Sequence, residues 1–301
     1  GEAWYVPVGD DPCGVAGEFK AVLENPETLK IGQNMKYDLQ VLRSCGIRLA
    51  GPMFDTMIAH YLLHPEMRHG MDYLAEAYLN YQTIHIEELI GTGKRQRSMA
   101  DVPAQDVCPY AAEDADVTLR LRNVFAPQLE AEGCTALFRD IEMPLMPVLA
   151  QMERNGVRID TLGLEETSAL YTRQMQQMEQ EIHEMAGMQF NVSSPRQVGE
   201  VLFDQLHLSR KAKKTKTGQY VTSEEVLESL RPKHPIVGKI LEYRGLKKLL
   251  STYIDALPLL VNSRTGHIHT SFNQTVTATG RLSSSNPNLQ NIPVRDALGK
   301  E

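Results

Sequence analysis

Apolar and polar positions along the first 130 residues predict short strands followed by helices. Two apolar runs, AWYVPV at residues 3–8 and LKIG at residues 29–32, are typical of strands, and Pro7 would place the first one at a sheet edge. Helical periodicity follows in the segments VAGEFKAVLEN, NMKYDLQVLRSCG, FDTMIAHYLLH and MDYLAEAYLNY, and over a long stretch from about Ala104 to Glu132. Strands early and helices throughout predict an α/β unit over residues 1–130.

The pattern becomes mainly helical from about residue 135 onward. Two apolar stripes repeat at helical spacings of three and four, and each covers about two heptads. The first is Tyr171, Met175, Met178, Ile182 and Met185, and the second is Tyr243, Leu246, Leu250, Ile254, Leu257 and Val261. Because such stripes are short for an extended coiled coil, we expect two long antiparallel helices that pack on each other.

Charge is distributed unevenly between two parts of the chain. The net charge of −7 combines 16 basic and 31 acidic residues in 1–207 with 15 basic and 7 acidic residues in 208–301. This asymmetry indicates that a polyanion would contact the second part. Between the two helical stripes, five basic residues and no acid lie from Arg210 to Lys216. The block predicts a solvated loop, either an ordinary surface loop or a tip that binds phosphates by releasing counterions.

Hydropathy and cysteine usage restrict the class of protein. No run of about 18 apolar residues occurs, so neither a membrane span nor a membrane partner is predicted. The four cysteines, Cys13, Cys45, Cys108 and Cys134, include no CxxC pair. This spacing argues against a zinc site and makes reduced thiols in a cytoplasmic protein the expectation.

Two polar pairs in the α/β unit have the spacing that places both members on one helix face. They are Asn34 with Asp38, and Tyr110 with Asp114. If the helices converge, two carboxylates meet with an amide and a phenol beside them. Phosphodiester hydrolysis by two divalent ions roughly 3.5–4 Å apart requires such groups. Two aspartates give too few oxygen ligands for two hard cations, so a third ligand is expected on a strand before residue 1.

The segment TATGRLSSSNPNLQNIPVR, residues 277–295, is rich in long hydrogen-bond donors and contains no acid. Arg281, Asn288, Gln290 and Asn291 are separated by small residues and a turn-forming Asn-Pro pair. Donors of this kind fit the acceptors that every base pair presents in the minor groove. The alternative is a polar loop that bonds to its own backbone through Asx and Ser turns.

These motifs together resemble the family A DNA polymerases, the bacterial DNA polymerase I family. Residues 277–295 are similar to the family's signature at the junction of thumb and palm. NMKYD and YAAED are similar to the second and third motifs of its DEDD-type 3′–5′ exonuclease, and EYRGLKKLLSTY and TSEEVLESL to stretches of its thumb. The resemblance covers essentially the whole chain in the expected order. The family's first exonuclease motif and the palm's metal-binding aspartates are missing, so the chain resembles an interior piece of a polymerase.

The resemblance implies a fold class that combines α/β with mainly α structure. A truncated ribonuclease-H-like exonuclease domain would occupy residues 1–130, a helical thumb residues 131–265, and the first strands of the palm residues 266–301. Asp38 and Asp114 would bind Mg²⁺ or Mn²⁺ with an incomplete ligand set. Tyr110 would orient the attacking water, and Asn34 would position the substrate.

The resemblance also implies a nucleic-acid surface in the second half of the chain. Arg281 would reach the minor groove at the primer terminus. The residues expected near it are Asn288, Gln290 and Asn291, and those expected to contact phosphates are Lys213, Lys216, Arg244, Lys247 and Lys248.

The parent protein would be a template-directed polymerase that extends primers with deoxynucleoside triphosphates and proofreads 3′ ends. We expect the isolated chain to bind primer–template DNA and single-stranded 3′ ends, but to lack polymerase activity and most exonuclease activity. Two alternatives remain open: a stand-alone DEDD exonuclease with a helical accessory domain, and a non-catalytic DNA-binding module.

Overall fold

The computed structural model of the chain describes residues 2–292, which group into two compact units. Of the described residues, unit 1 contains 2–156 and 270–288, and unit 2 contains 157–269 and 289–292. The chain therefore leaves unit 1 after Gly156 and returns to it at Thr270. Within the described range, no helix has the length and apolarity needed to cross a membrane.

Unit 1 is built around two parallel strands, β1 (Lys30–Gly32) and β2 (Met53–Asp55). A second, antiparallel pair is formed by β3 (Ser271–Asn273) and β4 (Ser283–Ser285). The α-helices of this unit are α1 (Pro12–Glu18), α2 (Lys20–Leu23), α3 (Met35–Ser44), α4 (Thr56–Leu63), α5 (Met71–Leu79), α6 (Ile86–Ile90), α7 (Ala104–Ala131), α8 (Thr135–Leu137) and α9 (Met143–Asn155). Short 3₁₀ turns at Gly93–Arg95 and Met99–Asp101 and a π-helical turn at Phe138–Glu142 complete it.

The core of unit 1 forms around α7. Val117, Leu121 and Phe125 follow one another at intervals of four residues and are fully buried. Ile58 of α4 and Leu74 of α5 pack in the same cluster. Because fully burying each such side chain contributes about 1.5–3 kcal/mol, this face fixes α7 firmly in the unit. The polar residues at the N-terminal end of α7 are positioned by that anchoring.

Unit 2 contains the predicted pair of long helices. Its α-helices are α10 (Thr161–Ala186), α11 (Pro195–Gly199), α12 (Glu224–Leu230) and α13 (Pro235–Leu249). Its remaining turns are π-helical at Glu200–Gln205 and Leu250–Ile254 and 3₁₀ at Arg231–Lys233 and Pro258–Leu260.

The packing of α10 with α13 confirms the predicted antiparallel pair. Tyr171, near the middle of α10, packs with Leu250, just beyond the end of α13. Ile182, near the end of α10, packs with Ile236 at the start of α13. The second stripe does not continue as one helix to Val261. Instead, α13 passes into the π-helical turn, and Pro258 has no backbone N–H with which to extend a helix.

Three local predictions were wrong. Residues 3–8 form no strand, and residues 53–55 form β2 where a helix was expected, because Asp55 ends a strand and caps the following helix. Cys13 and Cys45 form a disulfide, where reduced thiols were expected. Their Cα atoms lie 4.8 Å apart, a proximity that 32 residues of sequence separation do not reveal. The division into segments 1–130, 131–265 and 266–301 stays a prediction, and residues 293–301 lie outside the described range.

Candidate functional site

The first candidate pair lies at the start of α3, but its two members are not placed alike. Asp38 is in the first turn of the helix, near the positive end of the helix dipole. Asn34 is the N-cap residue, in the left-handed conformation with φ of 58°, so it precedes the helix. The expectation that both residues share one helical face was therefore wrong for Asn34.

A buried carboxylate that the sequence reasoning missed fixes this end of α3. Asp55 is 1% exposed and accepts hydrogen bonds from the backbone N–H groups of Asn34 at 3.2 Å and Met35 at 2.6 Å. It also accepts from Met57 at 2.8 Å and Ile58 at 3.3 Å. One side chain thus satisfies otherwise unpaired donors at the start of both α3 and α4. The signal was present in the sequence, since an Asp before a helical pattern predicts an N-cap.

The second candidate pair has the predicted geometry. Tyr110 and Asp114 lie one turn apart on α7, close enough for the charge of Asp114 to act on the Tyr110 phenol. Burial, followed by the negative charge of Asp114, raises the pKa of Tyr110 to about 12. The phenol therefore remains a neutral donor at physiological pH.

Both candidate aspartates are weaker acids than usual. Desolvation raises the pKa of Asp38 to about 6, and the nearby negative charge of Asp55 adds to this effect. Desolvation also raises the pKa of Asp114 to about 6; the neighbouring Tyr110 hydroxyl opposes this shift, and the charges of Glu113 and Asp72 add to it. The charge of Asp114 does not contribute to the raised pKa of Asp38, and the charge of Asp38 does not contribute to that of Asp114.

The carboxylates do not form a complete metal site. Across residues 2–292, no three His, Cys, Asp or Glu side chains are close enough together to hold an ion. Asp55, the acidic neighbour of Asp38, already accepts four backbone hydrogen bonds. The carboxylates of the described residues are therefore too few to hold a pair of divalent ions.

A buried ion pair connects α3 to α9 and to β3. The Lys36 ammonium contacts a Glu153 carboxylate oxygen and the Phe272 carbonyl oxygen. The same Glu153 oxygen accepts from the Phe272 backbone N–H at 2.6 Å, and its other oxygen accepts from the Gln40 amide. Sequence reasoning missed Glu153, because it lies 117 residues from Lys36 and reads locally as part of a polar helix face.

The four candidate donors of the donor-rich segment are exposed. Arg281 lies in the connection between β3 and β4, and its carbonyl oxygen accepts from the Thr277 hydroxyl. Asn288 ends the part of this segment that belongs to unit 1, and its side chain is also exposed. Gln290 and Asn291 are exposed residues of unit 2, where the Tyr253 hydroxyl donates to the Asn291 carbonyl oxygen at 2.6 Å.

The predicted phosphate-binding cations differ in how they are held. Lys213, Lys216 and Lys248 are exposed. Lys247 contacts the Ser193 hydroxyl. Arg244 is partly buried and donates to the carbonyl and hydroxyl oxygens of Thr222, and burial lowers its pKa. Arg244 therefore has a structural partner that the sequence did not indicate.

Two protein-family models match successive parts of the chain. Residues 5–130 match the family model described as 3′–5′ exonuclease, and residues 161–301 match the model described as DNA polymerase family A. The chain belongs to the family A DNA polymerases. The polymerase match goes against the alternative of a stand-alone exonuclease, because it covers the part that would then be an accessory domain.

Relatives of this polymerase segment are similar over its full length. DNA polymerase I of Pseudomonas aeruginosa is 45% identical over 100% of the chain and 34% of the relative. DNA polymerase I of Chloroflexus aurantiacus is 45% identical over 99% of the chain and 33% of the relative. The chain thus spans about a third of the length of the curated relatives it matches.

A solved family A structure has the same fold over nearly all of this polymerase segment. The POL domain of Pol1 from M. smegmatis, in complex with DNA primer-template and dNTP, matches with a TM-score of 0.80 and 32% identity. The match covers 98% of the present chain and 47% of the solved chain.

Proposed function

We propose that this chain is part of a template-directed DNA polymerase that extends primers and removes nucleotides from 3′ ends. The observation that carries the proposal is the succession of an exonuclease match and a family A polymerase match along one chain. The solved structural neighbour, which binds primer-template DNA and dNTP, supports nucleic acid and nucleotides as the partners of the parent protein.

The finer assignment follows the family resemblance. Residues 1–130 form a ribonuclease-H-like exonuclease domain, residues 131–265 the thumb, and residues 266–301 the beginning of the palm. In the exonuclease domain, Asp38 and Asp114 are ligands of Mg²⁺ or Mn²⁺, Tyr110 orients the attacking water, and Asn34 positions the DNA 3′ end. The positions of Tyr110 and Asp114 one turn apart on α7 support this role, because they place the phenol beside a candidate ligand.

The second half of the chain holds primer–template DNA. The exposed lysines Lys213, Lys216 and Lys248 contact phosphates, and Lys247 and Arg244 support the same surface. The exposed Arg281 contacts the minor groove near the primer end, and Asn288, Gln290 and Asn291 also contact the DNA. Exposure of these donors supports the proposal, since a groove-reading side chain has to reach beyond its own fold.

DNA binding by the isolated chain tests the thumb assignment. Labelled primer–template is titrated with the chain over a range of salt concentrations, with fluorescence anisotropy as the readout. We expect weak binding with a steep salt dependence, and a slope that falls by about one for each phosphate contact removed in Lys213→Gln and Lys216→Gln. Lys239→Gln is the matched control, because Lys239 pairs with Glu181 at 2.7 Å. Equal salt slopes in all variants would argue against the assignment.

Trimming of a labelled 3′ end in Mg²⁺ or Mn²⁺ tests the exonuclease assignment. We expect little or no removal of nucleotides by the isolated chain, because the described carboxylates do not complete a metal site. The parent protein should trim, and Asp38→Ala or Asp114→Ala should abolish that trimming. Single-nucleotide trimming by the isolated chain at the rate of the parent protein would overturn the proposed inactivity.

A further inference from the structure

Three arginines surround a small cavity between α3 and α9 in unit 1. Arg43 lies in the last turn of α3, Arg48 follows that helix, and Arg154 lies near the end of α9. The cavity has a volume of about 180 Å³. It does not include Asp38, Asp114 or Tyr110, so it is separate from the candidate hydrolytic residues.

The lining of the cavity contains cations but no acid. Besides the arginines, the lining consists of two glutamines, Gln40 and Gln151, and of apolar residues. In the described part of the chain, none of the three guanidinium groups forms an ion pair with a carboxylate. Like charges placed around one cavity repel each other, and an anion between them removes that repulsion.

Two acids close to these arginines, Glu153 and Glu24, already have other partners. Glu153 lies next to Arg154 in sequence, but its carboxylate is buried and contacts Lys36, Gln40 and the Phe272 N–H. Glu24 accepts the backbone N–H of Arg48 and pairs with Lys20. These acids are therefore not available as counter-charges for the arginine side chains.

The rest of the cavity lining is apolar, and part of it is buried. Ile47 is 1% exposed and Ala150 is 8% exposed, and Leu39, Leu49 and Pro147 complete the apolar lining. An arginine-lined cavity of this kind holds an anion with less competition from water than an open surface does. The volume is below the roughly 300–1,000 Å³ of sites that enclose drug-sized ligands, so it suits a small anion or one end of a larger one.

We propose that Arg43, Arg48 and Arg154 form a phosphate-binding site in this polymerase segment. Guanidinium groups bind phosphate oxygens through paired hydrogen bonds, and this geometry selects phosphate over singly charged halides. The ligand is a phosphate group carried either by a small molecule, such as diphosphate or a nucleoside monophosphate, or by a nucleic-acid strand. The site does not depend on the hydrolytic or groove-binding roles proposed above.

Calorimetric titration of the 301-residue chain at low ionic strength tests the site. The probes are diphosphate, deoxyadenosine monophosphate and a short single-stranded oligonucleotide. We expect saturable binding of at least one probe, with a dissociation constant at least tenfold higher in Arg43→Gln/Arg154→Gln. Arg154→Lys should weaken binding by a smaller factor, because it keeps the charge and loses the planar pair of donors.

The matched control is Arg120→Gln. It also removes one arginine from unit 1, but Arg120 pairs with Asp116 and lies over the Tyr81 ring. Its dissociation constants should stay within twofold of those of the unmodified chain. Circular dichroism verifies that each variant is folded.

The three probes distinguish the two sources of phosphate. A loss confined to diphosphate and the monophosphate identifies a small-molecule site, and a loss confined to the oligonucleotide identifies a strand contact. The proposal is overturned if no probe binds, if the double variant binds every probe as the unmodified chain does, or if Arg120→Gln weakens binding equally. In those cases Arg43 serves only to complement the C-terminal end of α3.

Discussion

The two units of this polymerase segment have differently built interiors. Among the described residues of unit 2, Thr222 is the only buried polar or charged side chain other than tyrosine. Unit 1 buries many more, including Asp55, His60, His69 and Glu153. A buried polar group is tolerated only when it has partners, so unit 1 depends on specific pairings and unit 2 depends mainly on apolar packing.

This difference in the interiors matches the way each unit holds its candidate site residues. In unit 1, buried polar contacts hold the ends of helices: Asp55 fixes the start of α3, and Glu153 connects α3 to β3. The candidate Asp38 lies on that same helix. In unit 2, the candidate lysines Lys213, Lys216 and Lys248 are exposed and need no buried partner, whereas Arg244 bonds to the buried Thr222. Substitutions should therefore be costly in the interior of unit 1 and nearly neutral at the exposed candidate lysines of unit 2.

The largest effect is expected for the buried ion pair of unit 1. Glu153→Ala leaves the mostly buried Lys36 ammonium without its counter-charge and the Phe272 N–H without its acceptor. The free energy of unfolding should fall by about 3–5 kcal/mol, measured by urea denaturation with circular dichroism. The control in unit 2 is Glu181→Ala, whose surface pair with Lys239 should contribute far less to stability. Equal losses in the two variants would contradict the comparison.

Removal of the shared helix cap should have the next largest effect. Asp55→Ala leaves backbone donors at the start of both α3 and α4 without an acceptor. At about 0.5–2 kcal/mol for each cap, a total loss of about 1–4 kcal/mol is expected. Asp160→Ala in unit 2 removes only the exposed cap of α10, so its expected cost is about 1 kcal/mol. Hydrogen exchange should show faster opening of α3 and α4 in Asp55→Ala. Unchanged exchange in these two helices would contradict the shared-cap interpretation.

The periodicity of apolar residues predicted the features that depend on local sequence. The long helix α7 and the antiparallel pair of α10 and α13 were predicted close to their observed positions, because each buries one face along its whole length. The Tyr110–Asp114 pair was also found in this way, since both residues lie within one helix.

Long-range partners were not predictable in the same way. The contact of Lys36 with Glu153 and the disulfide of Cys13 with Cys45 join residues that are remote in sequence and carry no periodic signal. The strand β2 was missed because three residues are too few to show alternation. Asp55 is different: its position before a helical pattern is a local cap signal, and it could have been found.

The buried histidines of unit 1 should make its stability depend on pH. His60 Nδ1 lies 2.7 Å from His69 Nδ1, and His60 Nε2 lies 2.9 Å from the Tyr78 hydroxyl. His64, Tyr73 and Phe125 also face His60. Burial, then the charges of His69 and His64, lower the pKa of His60 from 6.5 to about 4. Burial lowers the pKa of His69 as well.

The direction of this pH dependence follows from the uptake of a proton by His60. Below pH 6.5 the unfolded chain binds a proton at His60 that the folded chain does not bind until about pH 4. Stability is therefore fully present above pH 6.5 and decreases as the pH falls toward 4. Between pH 7 and pH 5 the loss from His60 should be about 2 kcal/mol. Urea denaturation of the unmodified chain and of His60→Gln at both pH values measures it. A variant with the same pH dependence as the unmodified chain would show that His60 is not the source.

The smallest effects on stability are expected at the basic loop of unit 2, and they separate two kinds of lysine. Lys213 and Lys216 are exposed, so Lys213→Gln and Lys216→Gln should change the free energy of unfolding by less than about 0.5 kcal/mol. The Lys214 ammonium lies over the Tyr220 ring, 4.4 Å from its centroid, and Lys214→Gln should cost about 0.5–1 kcal/mol. Each variant removes one charge from the same loop. A lower stability of Lys214→Gln than of the other two variants therefore measures the contact between Lys214 and the Tyr220 ring. The reduction in DNA affinity should be similar for all three variants. If Lys213→Gln destabilised unit 2 as strongly as Lys214→Gln, the cations of this loop would be part of its packing, and the contrast with unit 1 would fail.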